Sequence, residues 1–390
     1  MYQQVQLALE GQILSGRLRQ GEFLPPEPEL CRRFAVSAIT IRRALTELAR
    51  DGLIRRKGGV GTVVTGRSRR VRFALLFIGF DDVEWAHQGE IFGTLLGGIG
   101  DAAWRANADF STIRTVDDEA LPRVLKRILD EREFDGVLLR TAGDVRPDWL
   151  TLLEGRDMPY VSIKRHIEGR PMNVVSMDDV DASCRATTHL IELGHRRIGL
   201  LVGPLDISPR RSVLVGYRQA LEAHGLPFAA ELVRELPRPL GGESEGSAAL
   251  QSLLELADRP TAACTNGSFL TIGAFDALAH AGLRIPDDMA IVGHGDMRLT
   301  RALRPPLTRI DTPYAEIGRL AANTLFELIA NPERAPVEVF LRPPLVVGGS
   351  SGAVAQSVDS QRRSSPARRE TRRATRRARP VTTGLEKTRG

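Results

Sequence analysis

The sequence predicts an α/β protein, a two-lobed body of parallel sheets covered by helices, preceded by a small basic head of helices and a hairpin. Three observations carry that prediction. From residue 72 to about residue 349, short apolar runs alternate with amphipathic stretches of helical period, the mark of strand–helix–strand units whose strands lie parallel. The alternation lasts too long for one compact unit, so two lobes are expected. Charge is also divided sharply. Residues 1–72 hold 14 Lys/Arg against 6 Asp/Glu, and residues 351–390 hold 11 against 3. Each end is therefore +8 within a total of +6, which leaves −10 on the middle. A basic head on an acidic body points to a polyanionic partner for the head alone.

The head, residues 1–65, reads as three helices and a hairpin. Val5, Leu9, Ile13 and Leu14 recur at helical spacing until Gly16 ends the run. "LPPEPEL" leads through prolines into a second short helix, Glu27 to about Phe34. Ser37 is placed to cap a third, whose apolar face is Ile41, Ala44, Leu45 and Leu48, and Asp51-Gly52 stops it. "LIRR" and "TVVT" then form two strands about the turn "KGGVG".

Helix, tight turn, helix and glycine-tipped hairpin make a winged helix-turn-helix. The apolar face fixes the third helix and leaves its N-terminal end free for a major groove. Ser37 and Thr40 are short donors for phosphates or base edges, and Arg42 offers a planar fork to guanine or phosphate, with Arg43 beside it. Lys57 and Gly59 belong to the wing tip, where glycine lets backbone meet backbone. The plainer reading, arginines on a solvated helix face, explains the charge but not the cap, the turn and the hairpin together. "KGGVGT" lacks the spacing of a phosphate-binding P-loop. Double-stranded DNA is the expected partner.

Residues 66–71, containing "GRSRR", form a linker by composition. In the body, 72–349, strands are expected at 72–79, 110–115, 136–140, 159–163, 173–177, 197–202, 261–264, 289–293 and 307–311. Helices are expected at 119–131, 181–193, 212–224, 246–257, 270–281 and 313–330. Residues 350–390 have almost no large apolar residue and repeated arginine pairs. They read as a disordered basic tail, either simply solvated or lending electrostatic help on DNA phosphates.

Several patterns resemble enzyme motifs. "GGESEG" contains G-x-S-x-G at Gly242–Gly246, but a nucleophile elbow needs a strand directly before it and "LPRPL" supplies prolines, so Ser244 is expected to help start a helix. "GIGDAA" (Gly98–Ala103) follows the nearest strand too late for a dinucleotide fingerprint and reads as small residues packing a helix against a sheet. His189 and His195 are six apart and fall on different helix faces. Cys31, Cys184 and Cys264 form no CxxC pair and read as small hydrophobes in a reducing compartment. No membrane span, secretory signal, metal set or cofactor is expected, and the location expected is the cytoplasm.

At this point the residues carry a resemblance. "LPPEPEL", "VSAITIRRALTELARDGLIRR" and "GGVGTVV" resemble the GntR-type DNA-binding domain over residues 2–65. The body resembles the effector domain of the LacI family through "NVVSMDDVDASCRATTHLIELGHRRIGLLVGP" and "RIPDDMAIVGHGDMRLTRALRPPLTRIDTPYAEIGRLAANTLFELI". The resemblance implies two α/β lobes of the periplasmic-binding type, with crossovers near 164–166, 294–298 and 309–313. It also implies a sugar-like effector in the cleft, a dimer, and a repressor whose DNA affinity the effector controls.

This sequence departs from that pattern. Pro28 and Ala38 stand where family arginines often contact DNA. In the cleft, Lys164 replaces a sugar-binding Asp, Val213 replaces an Arg, and an Asn-Asp pair falls on Gly267 and Ser268 with Asn266 one residue away. Gly295 takes the place of an Asp, followed by Asp296. Loss of carboxylates and gain of a lysine suggests an anionic effector anchored by Lys164, Arg165 and Arg211. Two readings stay open beside it: a neutral sugar held by rearranged residues, and a degenerate cleft on a ligand-independent, architectural DNA binder. A sugar-processing enzyme with a DNA-binding head is a third, which no motif supports.

Overall fold

A computed structural model describes residues 2–14, 17–50, 52–58, 61–65, 70–116, 120–237, 242–295 and 298–352. The expectations placed on Gly16, Asp51, Gly59, Asp296, residues 66–69 of the linker and residues 353–390 of the basic tail lie outside the described residues. Ser350 and Ser351, expected in the tail, are instead buried, with Ser350 Oγ donating to Ile291 O at 2.6 Å.

The head contains α1 (Tyr2–Leu14), α2 (Glu27–Phe34), α3 (Ala38–Arg50), β1 (Ile54–Lys57) and β2 (Gly61–Val64). Val5, Leu9, Leu30, Ile41, Ala44, Leu45 and Leu48 bury together, so the periodic positions of α1 and α3 do form one core. Ala35, in the left-handed region at φ 52°, turns the chain sharply from α2 towards α3. Ser37 Oγ accepts from Thr40 N at 3.4 Å, a long version of the expected cap. The wing strands pair antiparallel with Ile54 opposite Val64.

The first lobe is built from β3 (Arg72–Ile78), α4 (Asp82–His87), α5 (Gly89–Ala106), β4 (Asp109–Thr115), α6 (Leu121–Glu131), β5 (Gly136–Thr141), α7 (Pro147–Glu154), β6 (Tyr160–Ile163) and β7 (Val174–Met177). The second contains α8 (Asp179–Glu192), β8 (Ile198–Val202), α9 (Ser208–Ala223), β9 (Val233–Glu235), α10 (Glu243–Leu254), β10 (Ala262–Thr265), α11 (Ser268–His280), β11 (Ala290–His294), α12 (Arg298–Ala302) and β12 (Thr308–Ile310). The chain then returns to the first lobe for α13 (Tyr314–Ala330) and β13 (Glu338–Leu341), and ends in the second with β14 (Leu345–Val346).

The first sheet runs β13-β7-β6-β5-β3-β4 with every neighbour parallel, and the second runs β14-β12-β11-β10-β8-β9 with only β14 antiparallel. Strands buried on both faces read as continuous apolar runs, which accounts for most of the nine expected strands. All nine, the partly exposed edge strand β4 included, fall within a residue of their observed ends.

The crossovers differ from expectation. Residues 164–166 join β6 to β7 inside the first sheet, and 294–298 lead from β11 into α12 inside the second lobe. The chain changes lobe at Asp178, at residues 311–313 and at residues 342–344, so only the 309–313 expectation coincides with a crossover. The reason is that β7 and β13 are extra strands of the first sheet. Their apolar pattern does not say which lobe receives them.

The enzyme-like motifs resolve into packing. Gly98 lies against α13 rather than the sheet, where a Cβ would come 1.9 Å from Ala315 O. Gly242 precedes α10, and Ser244 Oγ donates to Glu245 Oε2 at 2.9 Å within its first turn. His189 bonds Ser351 at 2.9 Å and His195 bonds Thr261 at 2.9 Å, on separate elements.

Candidate DNA-binding surface and effector cleft

In the head, Ser37 and Arg42 are exposed at the start of α3, with Thr40 half-buried between them. The Ser37 and Thr40 hydroxyls lie 3.0 Å apart and bond each other. Arg42 Nε donates to Glu27 Oε2 at 2.9 Å, while Arg56 Nη2 approaches Glu27 Oε1 at 3.7 Å. One α2 carboxylate thus aligns an arginine of the recognition helix with one of the wing. Arg43 is turned away from that group, its guanidinium 4.1 Å from the Tyr2 ring centre on α1. Lys57 is exposed at the end of β1.

Two features escape a reading of the sequence alone. Glu27 reads there only as part of a helix start. Ile39, 79% exposed at the N-terminal end of α3, is an apolar side chain of the kind that can meet a thymine methyl. Its place outside the Ile41–Leu48 face is the signal that could have found it.

The cleft opens where both parallel sheets present the C-terminal ends of their strands, the usual ligand position in such folds. It encloses about 750 Å³ including space open to solvent. From the first lobe come Arg140 at the end of β5, then Lys164 and Arg165 after β6. The second lobe supplies Arg210 from α9, Asn266 and Ser268 around the start of α11, and His294 from β11. Gln88, Ile91, Phe269 and Tyr314 complete polar and apolar walls.

Lys164 is not an open anchor. Its Nζ lies 3.4 Å from Asp179 Oδ2 at the start of α8, both side chains 8% exposed. Arg165 has the role of a strut, donating to Ala142 O at 3.0 Å, Gly143 O at 3.2 Å and Lys164 O at 3.3 Å. Burial first, then the nearby Arg140 and Arg210 charges, push its pKa down to about 9.

Arg211 is absent from the lining. It pairs with Asp144 at 3.3 Å and approaches Glu168 at 4.0 Å, whereas its neighbour Arg210 faces the cleft and bonds Asn266. Adjacent helical positions point about 100° apart, so an "RR" pair could put only one guanidinium inside. Asn266 Nδ2 meets His294 Nε2 at 3.0 Å. The Ser268 hydroxyl lines the cleft without a hydrogen-bond partner.

Other departures now have physical causes. Val213 is buried in the second-lobe core, its carbonyl accepting from Ser183 Oγ at 2.7 Å. A side chain at position 295 would meet Arg309, whose Cδ would lie 1.9 Å from a Cβ there. Arg140 is a cleft residue that the sequence reasoning passes over although its signal is plain: a charged residue inside the otherwise apolar run "GVLLRT", every position of which is buried.

A two-lobed ligand cleft behind a winged helix-turn-helix defines the class of a ligand-responsive DNA-binding protein. Comparison with known proteins agrees on both parts. Residues 1–64 match the family model "Bacterial regulatory proteins, gntR family", and residues 187–351 match "Periplasmic binding protein-like domain". The ribose operon repressor of Haemophilus influenzae is 38% identical over 162 residues, 42% of this chain and 48% of that protein, so the alignment spans about half of this relative. The Escherichia coli (strain K12) ribose operon repressor is 30% identical over 237 residues, 60% of this chain and 70% of its own.

The arabinose metabolism transcriptional repressor of Geobacillus stearothermophilus is 27% identical over 361 residues, covering 90% of this chain and 97% of that protein. A solved transcriptional regulator, CelR in complex with cellobiose, superposes with a TM-score of 0.65 at 24% identity over 89% of this chain and 98% of its own, a likeness of fold. The chain belongs to the family of bacterial transcriptional regulators with a LacI-type effector domain, carried here behind a GntR-family head.

Proposed function

We propose that this protein is a cytoplasmic repressor that binds an operator through its winged head and changes DNA affinity when a small sugar or sugar derivative binds between its lobes. One observation carries the reading: a cleft with buried polar side chains from both lobes lies in the same chain as a winged helix-turn-helix. A ligand touching both lobes favours one arrangement of them, which is the differential contact that coupling requires. Two heads in a homodimer would then meet two DNA half-sites at altered spacing. One small head buries too little DNA surface for high affinity, which favours the dimer. The protein has no catalytic role in this scheme. The relatives named above are regulators, and Ser244, the one serine in an enzyme-like motif, bonds within its own helix.

The test uses the full chain and DNA from its own promoter region, followed by fluorescence anisotropy with and without a panel of pentoses, hexoses and their acids and phosphates. Site-specific binding shifted at least about fivefold by one panel member, the lower end of a typical coupling, is expected. Binding that follows salt alone, has no sequence preference and ignores every panel member would overturn the proposal.

A further inference from the structure

Among its described lining residues the cleft carries more cationic side chains than carboxylates. Arg140, Lys164, Arg165 and Arg210 line it, against Asp179 as the one carboxylate among its described lining residues, and Lys164 already takes Asp179. Arg140 is the most exceptional of the four. It is 2% exposed and its guanidinium lies 5.3 Å from the Phe80 ring centre. Its Nη1 donates to Thr141 O at 2.5 Å, but its Nε is buried with no hydrogen-bond partner.

Burying a cation is costly even after relaxation, and an unsatisfied donor adds to that cost. Burial pushes the Arg140 pKa down; Tyr314 opposes this, and the Arg210 charge adds to the lowering. The guanidinium stays charged, so a counter-ion in the cleft would offset the cost of its burial.

The second lobe supplies a matching feature. Ser268 opens α11, is 6% exposed, and its hydroxyl is buried without a partner. No side chain caps that helix start, because Gly267 stands at the capping position. A helix N-terminus presents amide donors and partial positive charge, so the opposite wall carries the same polarity as Arg140. An oxyanion would satisfy both walls at once, accepting from a guanidinium on one lobe and from a hydroxyl and helix amides on the other. Phe269 and Tyr314 offer flat apolar surface beside it, and Gln88 and Asn266 offer amides suited to hydroxyls.

We propose that the effector is a sugar bearing a carboxylate or a phosphate, and that this acidic group sits between Arg140 and the Ser268 end of α11. The anchor is thus Arg140, with Arg165 and Arg210 adding to the positive field and Lys164 retained by Asp179. This rests on the reading of the cleft as the effector site. It makes the ligand's charge the element that draws the lobes together.

Calorimetric titration of the full chain with matched pairs decides it: D-ribose against D-ribose 5-phosphate, and D-glucose against D-glucuronate and D-glucose 6-phosphate. One acidic member binds more tightly than its neutral parent by roughly ten- to a hundredfold, the usual effect of charge-assisted hydrogen bonds. Glucuronate against the phosphates tells which acid is meant. Arg140→Met abolishes the preference, and without ligand it melts no lower than the parent, since it removes a buried charge that lacks a counter-ion. Ser268→Ala, a milder change at the other wall, reduces the preference should Arg140→Met fold poorly.

Neutral sugars bound as tightly as their acids overturn the inference, as does an acid preference that survives Arg140→Met. If a neutral sugar also shifts DNA binding, the regulator reading stands while the acidic-effector inference falls. If nothing in the panel binds, both fall.

Discussion

Glu27 is placed to temper the affinity of the head for DNA. It holds Arg42 at 2.9 Å and Arg56 at 3.7 Å, so two cations facing the expected DNA side are partly neutralised before DNA arrives. Exposed pairs of this kind contribute little to stability, so what they change most is DNA binding. Replacing Glu27 by Gln keeps the shape and frees both arginines for phosphates. Affinity for any duplex should rise, and the slope of log affinity against log salt should steepen by about one to two. Unchanged or weaker binding by a folded E27Q protein would count against this placement.

The same scale shows what the sequence could and could not say. The position of Ser37, Thr40 and Arg42 at the start of α3 is legible because a cap, a helix start and an apolar face fix one another. Lys164 is not, because its partner Asp179 lies fifteen positions on, across the turn from β7 into α8. Pairing of that kind is set by tertiary packing, which periodicity does not report.

Among elements, the α5–α13 crossing carries most of the first lobe's helix packing. Gly98 and Gly318 let the two backbones touch, for a Cβ would stand 1.9 Å from Ala315 O at one and 2.4 Å from Leu95 O at the other. Gly98→Val would force the helices apart and should cost about 3 kcal/mol, at the upper end for overpacking. A urea melt measures it, and a shift below about 0.5 kcal/mol, the size of an ordinary surface change, would argue against the close approach.

A second prediction concerns the last turn of α8. Burial lowers the pKa of His189, which bonds Ser351 at 2.9 Å, and burial also lowers that of His195. A histidine whose folded pKa lies below its unfolded value of 6.5 favours the fold fully above that value and loses its contribution as pH falls through the folded one. The melting temperature should therefore be flat above about pH 7 and fall below it, and His189→Asn should flatten part of that fall. A melt insensitive to pH between 7 and 5 would show that neither ring is desolvated as placed.

Element positions are the most legible part of the chain, since buried parallel strands announce themselves as apolar runs. The edge strands β9, β13 and β14 are not, being short and only partly buried.

For the molecule as a whole, the question is what keeps the lobes in register so that a ligand can be felt elsewhere. Three crossovers connect them, and side chains add ties near the cleft mouth. Asp144, between β5 and α7 of the first lobe, accepts from Ser208 N at 2.9 Å and Ser208 Oγ at 2.8 Å at the start of α9 in the second, with Arg211 Nη2 at 3.3 Å. A carboxylate on a helix N-terminus is a favourable arrangement, strengthened here by the arginine. On the other side, Glu90 accepts from the backbone of Arg298 at 3.1 Å.

Asp144 therefore acts as a latch that offsets part of the cost of closing the cleft. Asp144→Ala removes it without deleting a side chain of the cleft lining. The expected result is a larger radius of gyration in small-angle scattering without ligand, and effector affinity weaker by roughly tenfold, reflecting the smaller fraction of closed molecules. Saturating ligand should restore the parental radius, because ligand contacts then replace the latch. A variant that scatters and binds like the parent would show that the crossovers alone set the lobe arrangement, and coupling to the head would have to run through residues 178, 311–313 and 342–344 instead.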